Sequence, residues 1–453
     1  MKSIYKSTIQ KGLLCFGACL IAMGSMAQQD TLYINLAKLL EVGGADNLTI
    51  DQFRKKQDLA LADLAKAKEW WLPEIYAGLE THKLWGAAMN ADGGFFLDVG
   101  RGSMWTGLGL DARWDFGEGI YQSKAAELKE VATRHRTQAE KNNILLKMIH
   151  AYYEFLSAQL YSGAYSEMSD QADTIVEQLQ IQVQAGIRFQ SEMLLAKSNR
   201  NHLKVKSLEA RNDYMEATAD LVNLLNLPYQ TGIIGLDTIL VPLDLVPESE
   251  WRQVPAENTY LNRPEYRFLH NGLDAIRTER KSTTTGLWLP DLSVGTSFGY
   301  FGGLFNQVRP MRPVDYPDPK IIYPTTVLNA SLMWRIPLGR LAYRGRLKQF
   351  DAQVALKENE ISQFRNQVNE EVNKSRSQLL MASEQLELAE ESQALAKEAV
   401  EQSIQRQQLG TAMPFEVFQA QEIYLRARLD YLKAIASYNK SQYSLYVALG
   451  NDL

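Results

Sequence analysis

The chain has 453 residues, with 48 Lys and Arg against 53 Asp and Glu, and a net charge of −5 that argues against a nucleic-acid partner. Its only cysteines, Cys15 and Cys19, lie near the N-terminus. No apolar run approaches the roughly 18 residues that a membrane-spanning helix needs, which leaves a β-barrel as the one route into a bilayer.

Residues 1–27 read as a signal peptide. Lys2, Lys6 and Lys11 precede an apolar stretch, Leu13 to Met23, that is too short to span a membrane. Ser25-Met26-Ala27 is an A-x-A-like cleavage site. Lipidation at Cys19 is the competing reading, although Phe16 stands where an aliphatic is usual. Cleavage after Ala27 removes three Lys and no acid, leaving 45 bases against 53 acids and a balance of −8. It also removes both thiols, which excludes disulfides and Cys-ligated metals.

Proline marks the long helices. None occurs between Pro73 and Pro228, and Pro414 is the only one after Pro337. An interior proline costs a helix about 3 kcal/mol. Between residues 121 and 227 the only glycines are Gly163 and Gly186, and between 347 and 449 the only one is Gly410. Ile144, Leu145, Met148, Ile149, Tyr152, Tyr153, Leu156 and Leu160 recur at helical spacing. Each segment predicts an antiparallel helix pair with limbs of about 50 residues, or roughly 75 Å. The first covers about 120–227 with its tip near 186. The second covers about 340–449 with its tip near 410.

Four segments alternate with period two, at about 75–85, 104–116, 291–301 and 325–336. In the second, Met104, Thr106, Leu108, Leu110, Ala112 and Trp114 oppose Trp105, Gly107, Gly109, Asp111 and Arg113. In the third, Leu292, Val294, Thr296 and Phe298 oppose Ser293, Gly295, Ser297 and Gly299. An apolar face backed by a small-polar one suits a barrel wall between lipid and water. Trp71, Trp85, Trp105, Trp114, Trp288 and Trp334 lie in or beside these strands like an interfacial girdle. Gly- or Pro-rich loops, 86–102 and 302–324, join the pairs. Four strands cannot close a barrel, so a membrane reading requires several copies.

The chain is an internal repeat. Trp71-Leu72-Pro73 returns as Trp288-Leu289-Pro290, offset by 217, and Trp114 as Trp334, offset by 220. Gln184-Ala185-Gly186 returns as Gln408-Leu409-Gly410, and Asn226 as Gly450, both offset by 224. The step from 220 to 224 is close to one helical turn and predicts a second helix pair one turn longer. The organisation is a first repeat at 28–227, a small side subdomain at 228–264 and a second repeat at 265–453. Residues 265–287 correspond to 50–70, a helix leading into each first strand.

No catalytic constellation emerges. Gly107-Leu108-Gly109-Leu110-Asp111-Ala112 matches a dinucleotide pattern, but it lies within a strand. Asp115-Phe116-Gly117 has no other kinase element beside it. The five histidines lack metal-ligand spacing, and no serine nucleophile elbow occurs. No cofactor or metal is expected, and the chain reads as a non-enzyme.

The paired tips are the most specific feature. Gly186-Ile187-Arg188-Phe189-Gln190-Ser191-Glu192 and Gly410-Thr411-Ala412-Met413-Pro414-Phe415-Glu416 each carry an acid six residues after the glycine, and each reaches alanine ten after it (Ala196, Ala420). This pattern resembles the periplasmic helix-turn-helix tips of TolC-like outer-membrane efflux proteins. Arg263-Pro264-Glu265-Tyr266, which opens the second half, is similar to the family as well. The resemblance covers nearly the whole mature chain. It implies an α+β membrane protein that forms a homotrimer, whose twelve strands make one outer-membrane β-barrel continuous with a periplasmic α-helical barrel. Residues 228–264 would be its equatorial subdomain. The tips, through Gly186, Ile187, Phe189, Gly410, Thr411, Met413 and Phe415, would dock a periplasmic adaptor joined to an inner-membrane pump.

The resemblance also implies a periplasmic gate. The family's acidic pair in the second tip matches Glu416 and Gln419, so only one acid remains. The first-half gate positions match Ser191 and Glu192. Their Tyr and Arg partners match Gln407 and Ala412, which points to a different closing contact. The function implied is a passive efflux duct for small molecules. A duct for type I protein or glycan secretion shares the fold, and a soluble periplasmic coiled-coil scaffold is the reading from a different class.

Overall fold

A computed structural model describes residues 31–89, 93–237, 239–252, 258–303, 325–336, 338–342, 344–409, 411 and 413–453. The expected signal peptide with Cys15 and Cys19, the Pro-rich stretch 304–324, Gly410 and Ala412 lie outside the described residues. Among the described residues no helix is long and apolar enough to cross a membrane.

The chain forms two compact units that cut across the repeats. One takes in the described residues up to Arg54, Thr137–Pro264 and Arg365–Leu453. The other takes in Lys55–Arg136 and Glu265–Phe364.

In order the elements are β1 (Thr31–Ile34), α1 (Leu36–Asp46), α2 (Leu48–Lys68), β2 (Glu74–Met89), β3 (Phe95–Asp115), α3 (Phe116–Gln184) and α4 (Gln190–Leu224). There follow β4 (Gly232–Gly235), α5 (Glu248–Trp251), α6 (Pro264–Ser282), β5 (Asp291–Gly303), β6 (Thr325–Arg335), α7 (Gly345–Gln408) and α8 (Pro414–Ala448). The Trp71 and Trp288 of the repeat each close a short 3-10 turn just before a strand.

Three differences from the sequence expectation have physical reasons. First, much of 86–102, expected as loop, is strand. β2 and β3 stay paired from Glu74↔Asp111 out to Met89↔Phe95, with one irregularity between Gly86 and Ala88. Glycines weaken a strand's pattern without preventing pairing once a partner strand is aligned. Second, α7 is shorter than α3, at 64 residues against 69. The extra residues of the second repeat sit instead between β6 and α7, around a 3-10 turn at Leu338–Ala342. In the first repeat α3 follows β3 without a break. Third, β1 was not anticipated. It pairs in parallel with β4, Thr31↔Gly232 to Ile34↔Gly235.

The first unit is built on one apolar core. Ile34, Leu39 and Ile50 pack with Met148, Ile149, Tyr152, Phe155 and Leu156 of α3, with Leu221 and Leu225 of the α4 end, and with Ile435 of α8. Asn47 caps α2, accepting from the Thr49 amide at 2.9 Å, and its Nδ2 donates to the Leu224 carbonyl at 2.9 Å. Residues 241–246 belong to neither helix nor strand, so their polar backbone needs other partners. Side-chain amides of α8 supply them. Asn439 accepts from the Leu243 amide at 2.8 Å and donates to the Val241 carbonyl at 2.9 Å, and Gln442 accepts from the Val246 amide at 3.0 Å. Toward the tips α8 packs on the α3–α4 hairpin, with Leu425 against Met168 and Leu203, and Phe418 against Val176, Leu179 and Ala196. Arg428 reaches Glu167 at 2.9 Å on the same seam.

The second unit holds an antiparallel sheet of order β2-β3-β5-β6. At the helix end of the sheet Arg340 meets Asp115 at 3.1 Å and Asp291 at 3.5 Å. Asp115 also accepts from the Glu118 amide at 2.9 Å, capping the first turn of α3. One arginine thus ties the ends of β3 and β5 to the segment after β6.

Candidate functional site: a two-faced sheet and two helix tips

Register assigns every side chain in the sheet to a face. Ala77, Leu108, Phe298 and Leu328 form one cross-strand row. Ala112, Val294 and Leu332 form a second, and Trp114, Leu292 and Trp334 a third. These rows share one face, and Leu108, Phe298, Leu328, Leu332 and Trp334 on it are exposed. The opposite face reads Glu74, Asp111, Gly295, Ser331 in one row and Tyr76, Gly109, Ser297, Asn329 in another. In these rows the sheet is therefore apolar on one side and mostly small or polar on the other. Its outer strands, β2 and β6, each have one neighbour in this sheet.

The first tip is a capped turn. The Ile187 amide donates to the Gln182 carbonyl at 2.9 Å and the Gly186 amide to the Val183 carbonyl at 3.0 Å, which is the Schellman pattern. It requires a left-handed residue between, and Gly186 has φ +72°. At the second tip the Thr411 amide donates to the Arg406 carbonyl at 2.9 Å, the equivalent long bond 224 residues on. Gly410, the counterpart of Gly186, lies outside the described residues.

The helices that leave the tips start in an unusual way. α4 has Phe189 at its N-cap and α8 has Met413, both extended, and neither makes a side-chain cap. Ser, Thr, Asp or Asn normally fills that position. Ile187, Phe189, Met413 and Phe415 are all exposed. Both helices thus start without a side-chain capping bond and with a large exposed apolar side chain at the N-cap.

The acids shared by the two tips sit at the third position of each helix, where they favour the positive end of the helix dipole. The Glu192 amide bonds the Phe189 carbonyl at 3.1 Å, and the Glu416 amide bonds the Met413 carbonyl at 3.0 Å. Glu192 faces Arg188 at 3.7 Å. Glu416 faces Arg406 at 3.6 Å, across the turn joining α7 to α8. Ser191 and Gln419 are exposed, and Gln407 is half-buried. Among the described residues neither Ser191 nor Glu192 is hydrogen-bonded to Gln407, and Ala412 is outside them. The Arg406–Glu416 pair is the contact that the sequence reading missed. Arg406 stands one turn before the glycine, where a basic residue also suits a helix C-terminus.

Comparison with known proteins agrees with this geometry. Residues 261–451 match the outer membrane efflux protein family. Among solved structures, the outer membrane protein VceC from Vibrio cholerae is 14% identical, with 92% of this chain and 96% of that one covered and a TM-score of 0.70. The CmeC outer membrane channel of Campylobacter jejuni is 17% identical, with 92% and 85% covered and a TM-score of 0.67. The open-state MtrE outer membrane channel of Neisseria gonorrhoeae is 16% identical, with 92% and 89% covered and a TM-score of 0.66. No curated protein matches the sequence. Residues 261–451 are thus similar to the outer membrane efflux protein family, and the described chain has the fold of the TolC-like outer-membrane channels.

Proposed function

We propose that the chain is the outer-membrane duct of a tripartite efflux system, passing small molecules passively from a periplasmic adaptor and an inner-membrane pump to the exterior. The observation that supports this best is the four-stranded sheet, apolar and exposed on one face, small and polar on the other, with β2 and β6 as its outer strands. An apolar strand face belongs in lipid, but open strand edges do not. Closure needs at least about eight strands, and three copies supply twelve. In this reading the apolar face meets outer-membrane lipid and the polar face lines the lumen. β2 and β3, at 16 and 21 residues, exceed the roughly 10 residues of one crossing, and their hairpin end projects outside the cell. The long helices form the periplasmic tunnel, and residues 228–264 form its equatorial belt.

The tips carry the partner and gate roles. Ile187, Phe189, Thr411, Met413 and Phe415 meet the adaptor, on turns set by Gly186 and Gly410. Glu416 rings the narrow end three times over, with Gln419, Ser191 and Glu192 beside it. Arg406 holds each Glu416 in the closed state. Energy and direction come from the pump.

Outer-membrane fractionation followed by mass determination in detergent tests the reading. The expected species is an outer-membrane trimer that conducts ions in a planar bilayer. A soluble periplasmic protein would overturn it.

A further inference from the structure

The small-polar face of the sheet is not uniformly small. Register places three large aromatic residues on it. Tyr76 stands in the row with Gly109, Ser297 and Asn329. Two residues further along lies the row Gly78, Gly107, Gly299, Val327, and beyond it the row Glu80, Trp105, Phe301, Thr325. The glycines are the bed for the rings. A Cβ on Gly109 would overlap the Tyr76 ring. A Cβ on Gly78 would come within 3.3 Å of the Trp105 ring, and one on Gly299 within 2.8 Å of its Nε1. The two rings sit 6.4 Å apart at 56°. Phe301, directly across from Trp105, is exposed. Glu80, directly across on the other side, is also exposed. Glu80 is the one charged residue in the three rows.

Packing alone does not account for this choice of residues. The Trp105 Nε1 is buried without a hydrogen-bond partner among the described residues, a burden of about 1–3 kcal/mol that a benzene ring in its place would avoid. An electron-rich indole in the same row as a carboxylate is instead the chemistry that recognises a cation with an organic body. The ring faces attract the charge and stack on an aromatic group, and the carboxylate supplies the complementary charge.

We infer that Tyr76, Trp105 and Phe301, with Glu80 beside them, form a selectivity band inside the duct for organic cations that carry an aromatic ring. The inference rests on the duct reading, which makes this face lumenal. Threefold repetition would set nine rings and three Glu80 carboxylates in a band several residues deep around the barrel. Inorganic cations meet only the charge, and organic anions are turned away by it.

The test is block of sodium current through the full-length protein in a planar bilayer, with benzyltrimethylammonium as the probe. Tetramethylammonium controls for the ring and benzoate for the charge. The expected result is that benzyltrimethylammonium blocks at a concentration about tenfold below either control. Trp105→Leu and Glu80→Gln each lose most of that difference, while Trp105→Phe keeps part of it. Phe301→Leu, an exposed position with no glycine bed to disturb, provides a variant that folds irrespective of ring packing. Equal block by all three probes, or block unchanged in Trp105→Leu and Phe301→Leu, would overturn the band while leaving the duct intact. A protein that forms neither trimer nor pore removes the duct, and the band with it.

Discussion

Phe189→Ser and Met413→Ser separate a fold role from a partner role at the tips. Each substitution places a good N-cap three residues before an existing glutamate, Glu192 or Glu416, and so completes a capping box. A cap of this kind contributes about 1 kcal/mol. Against it stands lost burial. Phe189 is 76% exposed, so about 50 Å² of a side chain of roughly 200 Å² is covered. At about 25 cal/mol/Å² that is about 1 kcal/mol. Met413 is 62% exposed and loses a similar amount. The two nearly cancel, so the net change for each tip is within about 1 kcal/mol of zero. A buried phenylalanine truncated in a core loses about 3–5 kcal/mol, so the two roles differ by several orders of magnitude in local opening. Amide hydrogen exchange in the first turns of α4 and α8 reads this directly. The expected outcome is unchanged or slower exchange there, together with weaker capture of the adaptor by the double variant. First turns that exchange a hundredfold faster would refute the reasoning and return both side chains to the hairpin core.

The other predictions concern single groups. Arg263 is 4% exposed and donates to the Val447 carbonyl at 3.1 Å and the Ala448 carbonyl at 3.4 Å, with Glu371 at 2.5 Å. Val447 keeps its bond from the Gly450 amide and Glu371 is 42% exposed, so Arg263→Leu should cost about 3 kcal/mol, read as exchange about a hundredfold faster in residues 445–451, with Glu371→Gln nearly silent. Gly186→Ala meets no clash but holds φ at +72°, and should loosen the first tip by about 1 kcal/mol in the same measurement. Glu416→Gln should reduce the cation selectivity of single channels with little change in stability, because its partner Arg406 is exposed; unchanged selectivity would remove Glu416 from the gate. His150 is held below the usual histidine range by burial and then by Lys440, despite nearby Glu154. Because the folded protein favours the neutral ring, stability is full above about pH 6.5 and falls as the pH drops from there through the lower folded value. His150→Gln should flatten that fall in a pH series of thermal unfolding.

The sequence was most legible where one residue type has one physical use. Missing prolines bounded α3–α4 and α7–α8, and alternation placed the central parts of β2, β3, β5 and β6. Glycine at 186 announced a left-handed turn. The rest was hidden for physical reasons. Thr31–Ile34 has four residues and no pattern of its own, and its partner lies some 200 residues away at Gly232–Gly235. Residues 95–102 looked like loop because glycine interrupts their alternation, yet they pair with β2. Arg406 gave no signal of its pairing with Glu416, because spacing places the turn but not which side chains meet across it. At the tips the acid was legible as a shared position, but its place as the third residue of a helix capped by an apolar side chain emerged only from the backbone.

The changing offset of the repeat has a mechanical origin. Between the tips and the ends of the hairpins it stays at 224, and there every residue is locked between two caps. α4 and α8 are both 35 residues long. Each ends in the same two-bond turn: Leu227 amide to Val222 carbonyl around Asn226 at φ 55°, and Asn451 amide to Tyr446 carbonyl around Gly450 at φ 92°. Asparagine substitutes for glycine in the first because its short polar side chain tolerates the left-handed region. An insertion inside such a limb would rotate every later side chain by about 100° and carry it off the packed seam. An insertion between β6 and α7 is absorbed by irregular backbone before the helix begins, and that is where the offset changes. The constancy of 224 therefore measures how much of each hairpin is pinned by packing, and the drift from 217 to 220 and then 224 marks the joints where the chain was free to lengthen.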